Sequence, residues 1–259
     1  LKQSDKTRVL IVAPSNAAVD VVLNRLHEQF LQDYIKTQKH LGYTTGRTFA
    51  RRINAPTRMP SEIMGSAMLY SDVDGKTGTC VIPSRDDLAK GVRLVACTCA
   101  CVGYLKIQGS LDGVFTHIIL DEASQAWEPE AMIPLSCMNI ETRVMIAGDP
   151  KQLGPATRCH KADRYGLGLS LQEKLMNLSE YDQHLNRNNK LVQLNCNYRS
   201  HASMLKISAR RFYGGENALL SCASPHKVDR SLSWYRLKGI EFPLLFLDVC
   251  SGKHRHVCF

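Results

Sequence analysis

The residues able to do chemistry in this chain stand at the ends of apolar runs. His117-Ile-Ile-Leu-Asp121-Glu122-Ala123-Ser124-Gln125 sets two adjacent carboxylates directly after a short aliphatic stretch. Two acids at the end of a buried strand are costly to desolvate unless a cation or a reacting water uses them. The layout is that of a Walker B element, in which Asp121 would hold Mg²⁺ directly or through water and Glu122 would polarise an attacking water. A solvated strand-end loop carries the same letters. One run later, Arg143-Val-Met-Ile-Ala leads into Gly148-Asp149-Pro150-Lys151-Gln152-Leu153-Gly154-Pro155. Gly and Pro set a tight turn there, and Asp149 and Gln152 present hydrogen-bonding groups. A glutamine can sense a terminal phosphate without adding charge, although an ordinary turn uses the same residues. A third set, Asn197-Tyr198-Arg199-Ser200-His201, puts a ring able to stack on adenine beside a guanidinium able to contact phosphate. A buried tyrosine next to a surface arginine reads equally well.

These sets need elements to hold them. Five apolar runs read as buried strands: Arg8–Ala13, Val92–Ala96, His117–Leu120, Arg143–Ala147 and Leu244–Val249, with Leu191–Leu194 a weaker sixth. Near-continuous Val, Ile and Leu without alternation is what a parallel strand covered on both faces requires. After the first run come Pro14-Ser15-Asn16 and then Val19, Val22, Leu23, Leu26 and Phe30 at helical spacing, with Ser15 or Asn16 as the N-cap. Strands alternating with helices predict an α/β, doubly wound sheet, whose ligands lie beyond the C-terminal strand ends. Residues 31–90 break that rhythm. Carrying Lys36, Lys39, Arg47, Arg51, Arg52 and Arg58, they read as an inserted, partly helical subdomain.

Composition narrows the function class. The 259 residues are 44% hydrophobic and 22% charged, which excludes disordered and collagen-like classes. No run of apolar residues is long enough to span a bilayer, and the N-terminus lacks the features of a signal peptide. The net charge is +9, and residues 151–259 hold all of the excess, with 17 basic against 8 acidic side chains. That asymmetry points to an acidic partner such as nucleic acid, or to a solvated basic face. The ten cysteines follow no disulfide framework and include no CxxC pair, so a reduced, intracellular compartment is expected. Cys97, Cys196 and Cys250 fall in apolar runs as small hydrophobes, whereas Cys250, His254, His256 and Cys258 form a short cluster without the usual zinc spacing.

Order and spacing together say more than any single set. APSN (residues 13–16), CT (97–98), DEAS (121–124), GDPKQLGP (148–155) and NYRSH (197–201) resemble motifs Ia, Ic, II, III and the Tyr-Arg element of Upf1-like, 5′→3′ superfamily 1 helicases. GLGLSLQEKL (166–175) and FPLLFLDVCSG (242–252) are similar to the Armitage/Moloney-leukaemia-virus-ten branch, RNA helicases of small-RNA silencing. The resemblance implies a RecA-like parallel sheet flanked by helices, the P-loop NTPase helicase core. It implies ATP and Mg²⁺ as cofactors, single-stranded RNA and small-RNA silencing proteins as partners, no membrane, and a location in cytoplasm and ribonucleoprotein granules. Asp121 would hold Mg²⁺, Glu122 would be the catalytic carboxylate and Gln152 would watch the γ-phosphate. Tyr198 would stack on adenine, Arg199 would contact the γ-phosphate, and Pro14, Ser15, Asn16 and Thr98 would touch the RNA backbone. The first RecA-like domain would occupy 1–189, with the insertion at about 31–90, and a truncated second would begin at 190.

The chain also departs from the family. It has no GxxxxGK[ST]: Gly75-Lys76-Thr77 fails because the required upstream glycine is Tyr70, and it follows APSN instead of preceding it. Motifs V and VI are missing too. A fragment or a decayed copy is therefore expected, with this stretch alone inactive as an ATPase. A catalytically silent RNA-binding or scaffolding remnant is the alternative.

Overall fold

The computed structural model describes residues 7–37, 46–89, 91–109, 111, 113–181, 190–237, 243 and 245. The chain forms two compact units, Leu1–Asn186 and Arg187–Phe259. The first is built on a five-stranded sheet of β1 (Val9–Ala13), β2 (Ala50–Ile53), β3 (Leu94–Thr98), β4 (His117–Leu120) and β5 (Arg143–Ile146). Its order is β2-β3-β1-β4-β5 and every pairing is parallel.

Both faces of the central strands are covered, as their unbroken aliphatic letters require. Leu10 and Val12 of β1 join Val95, Cys97, Ile118 and Leu120 in one core, which is closed by Val102 and Leu105 of the helix Cys99–Gln108 and by Ala131 and Leu135 of the helix Glu128–Leu135. Val9, Ile11 and Ala13 point the other way, onto Val19 and Leu23 of the helix Asn16–Leu26 and onto Phe49 and Tyr70. Ser15 is the cap of that helix, its Oγ accepting from the Ala18 amide at 3.1 Å. Asn16 is the first helical residue.

Three expectations change. First, residues 31–90, which read as an inserted, partly helical subdomain, also supply a strand of the sheet, Ala50–Ile53, and bury Phe49, Ile63, Tyr70 and Cys80 in the same core. Ala-Arg-Arg-Ile does not read as an apolar run because its buried charge, Arg52, is neutralised only by a residue thirty-two positions away. Second, β5 is not covered on both faces. It is an edge strand among the described residues, leaving Val144 39% and Met145 53% exposed. Third, Leu191–Leu194 forms no strand. Pairing begins just after it, where β6 (Cys196–Asn197) lies parallel to β7 (Leu220–Ser221) in the second unit, and Cys196 is exposed there instead of packed. Of Leu244–Val249 only Leu245 is among the described residues, and the Cys250, His254, His256, Cys258 cluster falls outside them.

No helix among the described residues is long and apolar enough to cross a membrane. None of the described cysteines forms a disulfide, and Cys97, Cys99, Cys101 and Cys137 are buried around one core. Burial pushes the Cys97 thiol well above its usual range and that of Cys99 up to about 12, so both stay protonated and inert.

Candidate functional site

Strand register lines up the chemistry along one rim. Ala13 lies opposite Thr98, Val12 opposite Leu120, and Leu120 opposite Ile146. Carried one residue further, the register sets Asn54, Thr98, Ala13, Asp121 and Ala147 in one row at the C-terminal edge, with Pro14 directly after Ala13. Adjacent strands are about 4.8 Å apart, so this rim is a single narrow line.

Asp121 continues the ladder, its amide donating to the Val12 carbonyl at 2.8 Å. The chain then turns sharply through Glu122, whose φ of 51° is left-handed and makes it the one non-glycine residue with positive φ among those described. Bulky residues rarely adopt this conformation, and it costs roughly 1–2 kcal/mol. The turn sends the two half-buried carboxylates to different places. Glu122 Oε2 accepts from Gln125 Nε2 at 2.9 Å, whereas the Asp121 carboxylate has no hydrogen-bond partner among the described residues.

The next strand end is fastened to this turn. The Ala123 amide donates to the Ala147 carbonyl at 2.8 Å, and the Asp149 amide donates to the buried Ser124 Oγ at 3.3 Å. Gly148 makes the approach feasible, because a Cβ there would collide with Gln172 Oε1 and lie 2.9 Å from the amides of both Ala123 and Ser124. Asp149 organises its own loop, accepting from the Lys151 amide at 3.0 Å and from Gln152 Nε2 at 2.7 Å. Gln152 is exposed, and its Oε1 faces away from that bond.

On the other side of β4, the APSN and CT loops are neighbours. Ser15 and Thr98 each cap a helix, and Thr98 Oγ1 accepts from the Cys101 amide at 3.3 Å. Two helix N-termini thus open onto one rim, an arrangement that favours phosphate through unpaired amides and the helix dipole. Ser15 is exposed and Pro14 and Asn16 are half-buried, but Thr98 is only 8% exposed. What the CT loop offers a ligand is backbone more than side chain.

Tyr198 and Arg199 belong to the second unit. Tyr198 is 65% exposed, which excludes the buried-tyrosine reading. Asn197 Oδ1 accepts from the Arg199 and Ser200 amides at 2.9 and 2.8 Å, holding the two side chains outward on a tight turn.

Sequence reasoning missed the groups that brace the rim. Asp20, fully buried under the APSN loop, accepts from Arg52 Nε at 2.8 Å and from Arg58 Nη2 at 2.6 Å. Burial pushes its carboxyl up, but the Arg58 and Arg52 guanidiniums and the Met64 amide outweigh that and hold it below the usual carboxylate range. Arg52 and Arg58 are consequently interior groups and cannot flank RNA. Arg51 is committed to Asp72 at 2.5 and 2.6 Å. An acid inside the apolar stripe of Val19 and Leu23 was the available signal, but its partners are too distant in sequence to be found from it. Gln172, buried and donating to the Gly148 carbonyl at 3.0 Å, gave no signal at all.

A parallel sheet with an acid pair at one strand end and paired loops beside it defines a nucleotide-hydrolase class of fold, the RecA-like helicase core. The profile of a family described as an AAA domain matches residues 64–160, the stretch holding β3, β4, β5 and the loops after them. Over 98% of its length the chain is 36% identical to a zebrafish (Danio rerio) protein named as a helicase, mov-10-B.1. It is 35% identical to RNA helicase Mov10l1 of mouse (Mus musculus) and to that of human (Homo sapiens), in each case over 96% of this chain. The chain belongs to the Upf1-like superfamily 1 helicases, with relatives of the Mov10 type. It spans 24%, 20% and 19% of the lengths of those three relatives.

Proposed function

We propose that this chain is the part of an ATP-dependent, 5′→3′ RNA helicase that grips single-stranded RNA and carries the acid pair of the ATPase. The observation that supports this reading most is the common rim, on which the APSN and CT loops and Asp121-Glu122 stand on neighbouring strands. Residues 1–189 would be the first RecA-like domain and residues from 190 onward the start of the second.

The acid pair suits Mg²⁺. Magnesium takes one or two carboxylates and keeps waters and substrate phosphates as its other ligands. Asp121 has a carboxylate with no protein partner, and no group of three or more potential metal ligands occurs among the described residues. Asp121 would hold the ion, which would neutralise charge on the ATP phosphates. Glu122, anchored through one oxygen to Gln125, keeps the other for a water proton. Gln152 would face the γ-phosphate, Tyr198 would stack on adenine and Arg199 would contact the γ-phosphate. Pro14, Ser15, Asn16 and the Thr98 loop would meet the RNA backbone. Small-RNA silencing proteins as partners, and cytoplasmic ribonucleoprotein granules as location, extend the same reading.

A second reading, in which these 259 residues by themselves bind RNA without catalysis, is favoured by one fact: they contain no GxxxxGK[ST]. Losing the backbone cradle and its lysine removes charge-assisted contacts of about 1.5–3 kcal/mol each. Both readings require RNA binding, and fluorescence titration of the purified chain with an unstructured RNA oligonucleotide at two salt concentrations tests it. Asn16→Ala with Thr98→Ala should weaken binding more than neutralising Arg210 and Arg211, where Arg210 already pairs with Glu216 at 3.8 Å. Equal losses would mean that diffuse charge supplies the affinity, and the rim would lose its role.

A further inference from the structure

Asn16 meets the rim through an amide whose two ends differ chemically, and the protein has chosen between them. A guanidinium carries donors only. The Asn16 atom facing Arg52 Nη2 at 2.9 Å is therefore the carbonyl Oδ1, and the Nδ2 amine is turned the other way. Nδ2 has no hydrogen-bond partner among the described residues, and Asn16 is only half-buried.

Arg52 is not free to release it. Its Nε donates to Asp20 Oδ1 at 2.8 Å and its Nη1 to the Ile53 carbonyl at 2.6 Å, with the side chain fully buried. Asp20 is held in turn by Arg58 and by the Met64 amide at 3.2 Å, and Arg58 is fixed by Asn54 Oδ1 at 2.7 Å. All three guanidinium nitrogens of Arg52 and both oxygens of Asp20 are thus engaged, so the Asn16 carbonyl has a fixed partner before any ligand arrives. Such pre-ordering removes part of the entropic cost of binding.

We infer that Arg52 is a positioning residue for nucleic-acid binding: clamped between Asp20 and the Ile53 carbonyl, it holds Asn16 with its amine outward, so that Asn16 meets the RNA strand as a hydrogen-bond donor to a phosphate oxygen. This rests on the RNA path proposed above. Arg52 touches no RNA itself. A lysine at 52 would keep one charge on Asp20 but cannot reach Asp20, Ile53 and Asn16 together, because it lacks the planar fork.

The test is a double-mutant cycle on the 259-residue chain, reading affinity for a fluorescein-labelled oligouridylate and thermal unfolding of each variant. Asn16→Ala should weaken binding about three- to tenfold, the worth of one net hydrogen bond. Arg52→Lys should weaken it by a similar factor in the parent, and by less than about twofold once Asn16 is alanine. The same loss in both backgrounds would show that Arg52 acts through general folding, and the inference falls. Asn16→Asp keeps a partner for Arg52 while removing the outward donor. It should fold and yet bind more weakly than Asn16→Ala, even if Arg52→Lys proves too unstable to handle. Parent-like affinity in Asn16→Asp overturns the donor role. Undiminished affinity in Asn16→Ala removes Asn16 from the RNA path, and with it this inference and that part of the proposed function.

Discussion

At the scale of single residues, the molecule accepts local cost where its chemistry lies. Glu122 occupies a left-handed turn that glycine would fill without strain. Glu122→Gly should therefore leave the chain as stable as the parent or up to about 1 kcal/mol more so, whereas Ala123→Gly beside it should destabilise, both read from urea midpoints. A clear loss in Glu122→Gly would mean that the Gln125 contact outweighs the strain. Asp20 carries a second cost. Its carboxyl is held below its usual range, so the stability it contributes is present above the unfolded value near 4 and is lost as pH falls through the folded one. Asp20→Asn should lower stability at neutral pH by about 3 kcal/mol and flatten the acid limb of the stability profile. A parent-like acid limb in that variant would place the sensitivity elsewhere. These residues also mark how far the sequence could be read. The acids at 121 and 122 are visible because strand and acid are contiguous. Asn16 is visible within Ala-Pro-Ser-Asn, but its link through Arg52 to Asp20 is not, because those bonds join residues more than thirty positions apart.

At the scale of elements, β1 is legible because both of its faces are buried and no letter has to be polar, and β4 because its Ile-Ile-Leu run is buried on one face and half-covered on the other. The β2 strand escapes the same reading since one of its four residues is an arginine turned inward. The β5 strand misleads in the opposite direction: its letters ask for cover that the described residues do not supply. An open, apolar edge strand is a template for pairing with another chain. The purified chain should accordingly self-associate at tens of micromolar, and Met145→Lys should shift it toward monomer in size-exclusion chromatography with light scattering. Unchanged elution would show that the edge is already protected.

For the molecule as a whole, charge and catalysis divide unevenly. If the chain binds RNA as proposed, its +9 net charge should make salt the dominant control on the affinity, through counterion release. The affinity should fall steeply between about 50 and 200 mM salt, while the ratio between parent and Asn16→Ala stays nearly constant, since that contact is a directed bond. A ratio that collapses with salt would assign Asn16 to the diffuse field. ATP turnover by this chain should remain at background with or without RNA, and Glu122→Gln should not alter it, because the sequence supplies no GxxxxGK[ST]. Turnover that disappears in Glu122→Gln would overturn this.

One bond described above joins two tasks. The amide of Asp121 donates to the carbonyl of Val12, one residue before Ala-Pro-Ser-Asn begins. In the proposed reading, the loop that would grip the strand and the acid that would serve hydrolysis thus stand on adjacent slats of one plank, and this 2.8 Å bond continues the ladder that joins them. If the proposed reading holds, a change at the one would reach the other through the sheet itself, with no separate linkage needed to carry it.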